Sequence, residues 1–391
     1  MTIIRQPLRL KPRYVLAGII VALSLCLAST FTFRMIRASY VLGFRNGKPR
    51  PLRIYDRYFG FPVNLADITI PGTLGPVQLR VYTPGGDHHP IPLLMVHGFA
   101  LNGNRDGYLN KVANSMAQMG YIVILPNIPG ETQYQMSPSD MTVIADAIRW
   151  SAQTTGEKVS VFGISFGAGL AIPAAVQPSV TGDVKLIFAL SGYNNLDSIG
   201  RYYLHDRVDD PSGNPYLGNP AGPLLIVNGY LGELVPPKDL PAIRRQLDIL
   251  NADRDRRVID DGTTLLHPDA RAQKELDELQ TVHTPQMHQL FIDALTRHRA
   301  EMAAISPSSV LRTIQVPIYI LHGQNDPVFP EGEVEWMRLE LAGNRNAHIL
   351  VSPWISHAFV GQPATLWQKL RVVAFAAQLL RDASHPSPIA H

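Results

Sequence analysis

Apolar residues in this chain fall into short β-branched or leucine-rich runs, separated by longer stretches with helical spacing. Ala66–Ile70 and Val77–Tyr82 read as two strands joined by the turn-rich Pro71-Gly72-Thr73-Leu74-Gly75-Pro76. Leu93–Val96 is a fully apolar strand. From about Tyr108 a helix places Leu109, Val112, Ala113, Met116 and Met119 on one face, and Gly120 stops it. Next come strand Tyr121–Leu125, a loop over 126–137, and a helix starting near Ser139 or Asp140 that carries Ile144, Ala147, Ile148 and Trp150. A further strand holds Val159 and Val161 and stops at Gly163. An alanine- and leucine-rich helix then runs from Phe166 to Val176, with Pro173 expected to kink it or end its first part. Val184–Leu190 adds another strand. Such alternation predicts an α/β fold with a mostly parallel sheet covered on both faces by helices.

From about Ser191 to Ser309 the alternation breaks down. Residues 197–223 are polar and rich in Gly, Pro, Asn and Asp. Leu240, Ile243, Leu247 and Leu250 fall at helical spacing, as do Leu276 with Leu279, and Leu290 with Ala294 and Leu295. A mostly helical insertion is expected, in which Leu224-Leu225-Ile226-Val227 fits either an extra strand or a buried turn of helix. The α/β pattern resumes with strand Ile318–Leu321, a helix with Trp336, Leu339 and Leu341, strand His348–Val351, and a last helix from about Ala364 to Leu380. Ser384–His391 reads as a frayed tail.

The amino-terminal end has a different texture. Residues 14–33 run without a charge and are bracketed by Arg9, Lys11 and Arg13 before and Arg34 and Arg37 after. Twenty residues of helix span a hydrocarbon core of about 30 Å. A cleaved signal peptide would use the run only to Leu27 and be cut after Ala28 or Ser29. The apolar stretch continues past those small residues, so a retained single-pass anchor is the expectation, in a bacterial inner membrane; secretion after cleavage is the alternative. Four Lys/Arg precede the run and six follow it by Arg53, so the flanking charges do not choose an orientation. Residues 34–64 read as a basic linker that could lie along anionic headgroups or be a solvated tether.

Charge then narrows the function classes. The net charge is +3, but residues 1–57 hold eleven of the 35 Lys/Arg and one of the 32 acids, leaving 24 basic against 31 acidic residues beyond them. The globular part is acidic, which argues against nucleic acid as a partner. The single cysteine, Cys26, excludes an internal disulfide framework and a cysteine-rich metal site. His88 and His89 sit in an exposed loop with one adjacent acid, Asp87, and no third histidine or cysteine. No metal and no cofactor are expected.

Candidate chemistry centres on Gly163-Ile164-Ser165-Phe166-Gly167, a G-x-S-x-G between a strand and a helix. A turn that sharp leaves room beside the serine only for glycine and lifts the hydroxyl above the sheet edge. A serine hydroxyl needs a base within reach, and the base needs a third group to orient it. Asp326 follows strand Ile318–Leu321, and His357 follows strand His348–Val351. Both therefore fall on loops at the carboxyl ends of parallel strands, where catalytic groups collect.

His97-Gly98-Phe99, Gly163–Gly167, Gly323-Gln324-Asn325-Asp326-Pro327-Val328 and Ser356-His357 together resemble the four signature sites of the α/β-hydrolase superfamily. The resemblance covers about 65–195 and 310–382, and it implies a core in those two stretches with a cap over 196–309 and a tail over 383–391. It implies a triad of Ser165, His357 and Asp326, and an oxyanion hole from the backbone N–H groups of Phe99 and Phe166. His97 and His322 are read as structural. Residues 223–236 superficially parallel 317–330 but put Gly232 opposite Asp326; Glu233 and Asp197 are weaker candidates for the acid. The expected activity is a serine esterase or lipase-like hydrolase acting on a hydrophobic, small-molecule or lipid-like acyl substrate. An acyltransferase, a peptidase, or a non-catalytic binding protein are the alternatives.

Overall fold

The computed structural model describes residues 18–22, 60–87, 89–205, 207–217, 222–258, 270, 274, 285–357 and 362–389. Eight strands form one sheet: β1 (Val63–Ile70), β2 (Val77–Pro84), β3 (Pro92–Val96), β4 (Ile122–Pro126), β5 (Val159–Ile164), β6 (Val184–Leu190), β9 (Ile318–Gly323) and β10 (Ala347–Ser352). Their order is β1-β2-β4-β3-β5-β6-β9-β10. β2 runs antiparallel to both neighbours, and every pairing from β4 to β10 is parallel. Parallel interior strands must be apolar on both faces. Leu93, Leu94, Val96, Val123, Leu125, Val159, Val161 and Ile187 are accordingly sealed from solvent. Burying each such side chain is worth about 1.5–3 kcal/mol.

Helices cover both faces: α1 (Gly107–Gln118), α2 (Pro138–Thr155), α3 (Phe166–Ala175), α9 (Glu331–Glu340) and α10 (Leu366–Ser384). α2 begins slightly earlier than its apolar pattern alone indicates. Ser137 caps it with Asp140 reaching back, and Pro138 occupies the first turn, where its missing N–H costs nothing. α3 runs through Pro173 and ends two residues later. This architecture is the α/β-hydrolase fold.

Between β6 and β9 lies the insertion. Its described part comprises α4 (Leu196–His205), α5 (Gly222–Leu234), α6 (Leu240–Val258), α7 (Pro285–Arg297) and α8 (Arg299–Ala304), with a two-stranded hairpin, β7 (Arg207–Asp209) and β8 (Pro215–Leu217). Leu224–Val227 is thus helical, and the likeness of 223–236 to 317–330 has no structural counterpart. A buried carboxylate helps tie cap to core. Glu333 on α9 is wholly buried and accepts from the Asn194 and Asn195 amides at 2.8 and 2.9 Å and from Ser198 Oγ at 2.8 Å, at the start of α4.

Two expectations about the chain ends need correction. The first strand begins at Val63, inside the stretch read as linker, and Phe61 already donates its N–H to the Gln118 carbonyl. The tail is not frayed over residues 384–389. Lys158 N–H donates to the Ser387 carbonyl and Ile389 N–H to that of Gly156, so the end of the chain pairs with the start of β5. Within the expected membrane run 14–33, only residues 18–22 are described, and they are helical. The rest of that run, most of the linker and Cys26 lie outside the described residues. Among the described residues no helix is long and apolar enough to cross a membrane.

Candidate active site

Parallel register brings the carboxyl ends of β3, β5, β6, β9 and β10 to one edge. Val96 is level with Gly163, Ile164 with Leu190, Leu190 with Leu321, and Ser352 with Gly323. Ser165 follows β5 directly, with φ +57° and ψ −131°, a conformation that β-carbon-bearing residues rarely adopt. The flanking glycines make it feasible. A Cβ on Gly163 would lie 2.5 Å from the Ala168 Cα, and one on Gly167 would lie 1.9 Å from the His97 carbonyl oxygen. The elbow is therefore pressed against the loop after β3. Gly98 completes this packing, since a Cβ there would come within 2.8 Å of Ser165 Cβ and 3.3 Å of its Oγ.

Three of the residues singled out by their sequence positions meet in one hydrogen-bonded chain. Ser165 Oγ lies 2.6 Å from His357 Nε2, and His357 Nδ1 lies 2.9 Å from each oxygen of Asp326. The Asp326 side chain is sealed from solvent. Burial pushes its pKa up, but the adjacent His357, through charge and hydrogen bonding, outweighs burial and brings it down to about 2. The backbone amides of Val328 and Phe329 also donate to Oδ1, at 2.8 and 3.0 Å. A carboxylate can only accept. Nδ1 of His357 must then carry the proton, which leaves Nε2 with its lone pair toward the serine hydroxyl.

Two other histidines brace this arrangement. His97 is buried, which draws its pKa down to about 4, so the ring is neutral near pH 7. Its Nδ1 lies 2.8 Å from the Gly98 carbonyl and its Nε2 accepts from Ile128 N–H at 3.1 Å. His322, with its pKa lowered by burial, lies 3.0 Å from the Phe329 carbonyl through Nε2 and so steadies the loop whose amides hold Asp326.

Phe166 opens α3, so its N–H is among the four a helix leaves without an internal acceptor. The Phe99 and Phe166 rings stack with centroids 3.9 Å apart at 19°, Phe329 meets Phe166 edge-on at 4.8 Å, and Phe329 lies 5.4 Å from the His357 ring. Both Phe99 and Phe166 line a cavity of about 370 Å³ between core and cap. Ser165 and His357 are not in its lining; the cavity flanks the nucleophile behind the two stacked rings. Leu196, Ile199, Leu295, Met302 and Ile305 make its apolar wall, and the cap adds Tyr230, Glu233, His298 and Glu301.

Neither weaker acid candidate approaches His357 within hydrogen-bond reach among the described contacts. Glu233 holds Arg297 Nε at 2.8 Å and His298 Nε2 at 2.5 Å, while His298 Nδ1 lies 3.1 Å from Glu301. Asp197 pairs with Arg201 and, at 3.4 Å, with Arg299. Helical spacing located Leu295 in sequence, but nothing in the pattern indicated that Tyr230, His298 and Glu301 share one wall with Phe99. Among the described residues no cluster of His, Cys, Asp and Glu could hold a metal ion.

Glu131, in the one-turn helix Pro129–Thr132 after β4, was not singled out by any motif. Its carbonyl receives Ala100 N–H, yet both carboxyl oxygens are buried without a hydrogen-bond partner. Burial, and then the charge of Asp140, push its pKa well above the usual 4.5.

Two outcomes are expected from these contacts. Gly167→Ala should disrupt the elbow, because its Cβ would overlap backbone rather than a flexible side chain. A lower unfolding midpoint with loss of Ser165 reactivity toward a fluorophosphonate is expected; a normally reactive variant would show that the contact is not restrictive. For Glu131, a raised folded pKa means that its stabilisation is present below the ordinary value of 4.5 and is lost as pH rises. Glu131→Gln should therefore flatten the decline of melting temperature as pH rises above the ordinary value of 4.5. An unchanged slope would mean that Glu131 is not a buried acid.

Comparison with known proteins gives the family. Residues 76–358 match the model of the X-Pro dipeptidyl-peptidase (S15) family. No curated protein matches this chain in sequence. Similar solved structures include an esterase of Pyrococcus furiosus, 13% identical with TM-score 0.48, covering 87% of this chain and 96% of its own. An esterase of Pyrobaculum calidifontis is 16% identical with TM-score 0.43, covering 97% and 100%. An acylaminoacyl peptidase of Pyrococcus horikoshii is 11% identical with TM-score 0.46, covering 88% and 44%. The family match spans Ser165, Asp326 and His357, and the chain belongs to the X-Pro dipeptidyl-peptidase (S15) family of α/β-hydrolases.

Proposed function

We propose that this serine-type α/β-hydrolase cleaves a carboxylic ester or related acyl compound with an apolar acyl group, through an acyl-enzyme on Ser165. The observation that carries this reading is the hydrogen-bonded chain from Asp326 through His357 to Ser165 Oγ, with the hydroxyl on a positive-φ elbow. In the first step Ser165 Oγ attacks the carbonyl carbon while His357 Nε2 takes its proton. Asp326 keeps the imidazole in the required tautomer and stabilises the imidazolium. The Phe99 and Phe166 amides receive the oxyanion, a contribution of about 3–4 kcal/mol per donor in comparable sites. The imidazolium then protonates the leaving alcohol, and a water repeats the sequence to release the acid.

An apolar acyl group is favoured because aliphatic side chains and two phenylalanines dominate the cavity beside the elbow. The family name favours a second reading, cleavage of a dipeptide from a peptide's amino end. A substrate ammonium would need an uncommitted carboxylate in that cavity. Glu233 is already matched to Arg297 and His298, and Glu301 to His298, while Glu131 does not line it. The ester reading therefore comes first.

Asp326→Asn should lower kcat by about 10⁴ while leaving the fold intact. The wild type should turn over p-nitrophenyl esters of medium chain length faster than alanyl-prolyl-p-nitroanilide. A preference for the anilide would establish the peptidase reading, and an Asp326→Asn enzyme of near-normal turnover would remove Asp326 from the triad.

A further inference from the structure

The first turns of α10 present an unusual face to solvent. Leu366 is 73% exposed, Trp367 70% and Leu370 40%. At 100° per residue, Leu366, Leu370, Ala374 and Trp367 share an arc of about 100° on one side of the helix. Ala374 on that arc is exposed too, and Arg371, at its edge, is likewise in water. Further along the helix Val373 and Ala377, at nearly the same angle as Leu366, are buried together with Val372 and Ala376, so the exposed apolar patch belongs to the first turns. Among the described residues beyond residue 60, the other large exposed apolar residues (Phe61, Leu65, Leu74, Leu290 and Leu339) are scattered, no two of them in the same helix or strand. Isolated exposed leucines are ordinary; a tryptophan and two leucines within five residues of one helix are not.

Charge along this stretch of the chain has one sign. Between Glu340 and Asp382 the chain carries no acid, whereas Lys369 and Arg371 bracket the apolar arc. Lys369 reaches over the Trp354 ring at 6.0 Å, and Gln362 N–H donates to the Trp354 carbonyl at 3.2 Å. Trp354 lies three residues before His357, so the exposed face is stitched to the loop that carries the triad base. Thr365 fixes where the helix starts, accepting from Gln368 N–H while Gln368 reaches back to the Thr365 amide. The apolar arc is therefore held in place rather than left on a loose end.

We propose that the Leu366–Trp367–Leu370 face docks on the surface of an anionic lipid bilayer and presents the mouth of the active site to it. A tryptophan and leucines entering the headgroup boundary, with lysine and arginine beside them, match the chemistry of an interfacial helix. The charge complement is phosphate: an acid-free stretch with Lys369 and Arg371 gains from anionic headgroups and gains nothing from a neutral apolar partner. The same chain carries a twenty-residue uncharged run at 14–33 with basic flanks, for which a membrane anchor is the expectation and a cleaved signal peptide the alternative. A bilayer within reach of the core is what an exposed apolar arc next to the His357 loop requires. This docking goes beyond the proposed hydrolysis and does not need it.

The test uses the full-length chain in vesicles of mixed phosphatidylcholine and phosphatidylglycerol, with and without bromine on the lipid acyl chains. The chain has four tryptophans, so the Trp367 signal is the difference between the wild type and Trp367→Phe. Docking predicts that bromine removes most of that difference signal. It also predicts that Leu366→Gln with Leu370→Gln slows hydrolysis of a vesicle-dispersed ester several-fold while leaving a water-soluble ester unaffected. A Trp367 signal indifferent to bromine overturns the proposal. So does a fall in particle mass on substituting these residues in lipid-free solution, which would assign the face to a second copy of the chain. Quenching requires no catalysis: an inactive but quenched protein would reject the hydrolase reading alone, and an active but unquenched one would reject docking alone.

Discussion

Everything at this site depends on how closely two loops approach each other. The elbow after β5 and the loop after β3 pack so tightly that Gly167 has no space for a Cβ against the His97 carbonyl, nor Gly98 for one against Ser165. This contact has two consequences. It over-determines the backbone around Ser165, holding a positive φ that would otherwise cost about 1–3 kcal/mol. It also places the backbone that leads into Phe99 beside the hydroxyl, on the side of Ser165 away from neither of its catalytic needs: an acceptor site for negative charge and a path for its proton. Ser165 N–H donates to the Leu190 carbonyl, so the sheet ladder itself continues into the strained residue.

Polarity is set from the opposite end. Asp326 is buried and held by two backbone amides, and its pKa, brought down to about 2, keeps it ionised near neutral pH. That fixed charge decides which nitrogen of His357 is protonated, and hence which one faces Ser165. His97, buried and neutral, acts on backbone, while His322 holds the Phe329 carbonyl and lies 3.7 Å from Asp326 Oδ2. Gly323 permits the last contact in the series, since a Cβ there would meet the Ser356 carbonyl at 2.7 Å, and so the strand bearing the acid lies directly against the loop bearing the base.

Much of this was legible in sequence because the core obeys simple periods. Val184–Leu190 is the strand its apolar run predicts, to the residue, and the order of strand and helix gave the parallel sheet. Ser165 and Asp326 were legible because each follows a largely apolar interior strand, and His357 because it follows the next strand in the alternation, β10 at the sheet edge. Where periodicity was absent, legibility failed. Leu224–Val227 is too short to distinguish helix from strand, and only the surrounding α5 decides it. The Arg207–Leu217 hairpin is short and polar. Glu333 looks like any acid in the first turn of a helix, although it joins cap to core across 139 residues to Asn194. The tail's pairing with Gly156 and Lys158 is equally non-local. The wall formed by Tyr230, His298 and Glu301 depends on how cap helices pack, which no local pattern encodes.

The central claim is that the strained hydroxyl of Ser165, activated by His357, forms a covalent acyl-enzyme. Intact-mass spectrometry of the protein quenched in acid during turnover of a p-nitrophenyl ester tests this directly. The account predicts a mass increase equal to the acyl group, mapping by proteolysis to the peptide containing Ser165 and absent from Ser165→Ala. Turnover by the wild type with undiminished activity in Ser165→Ala, or an acyl group mapped to another residue, would contradict it.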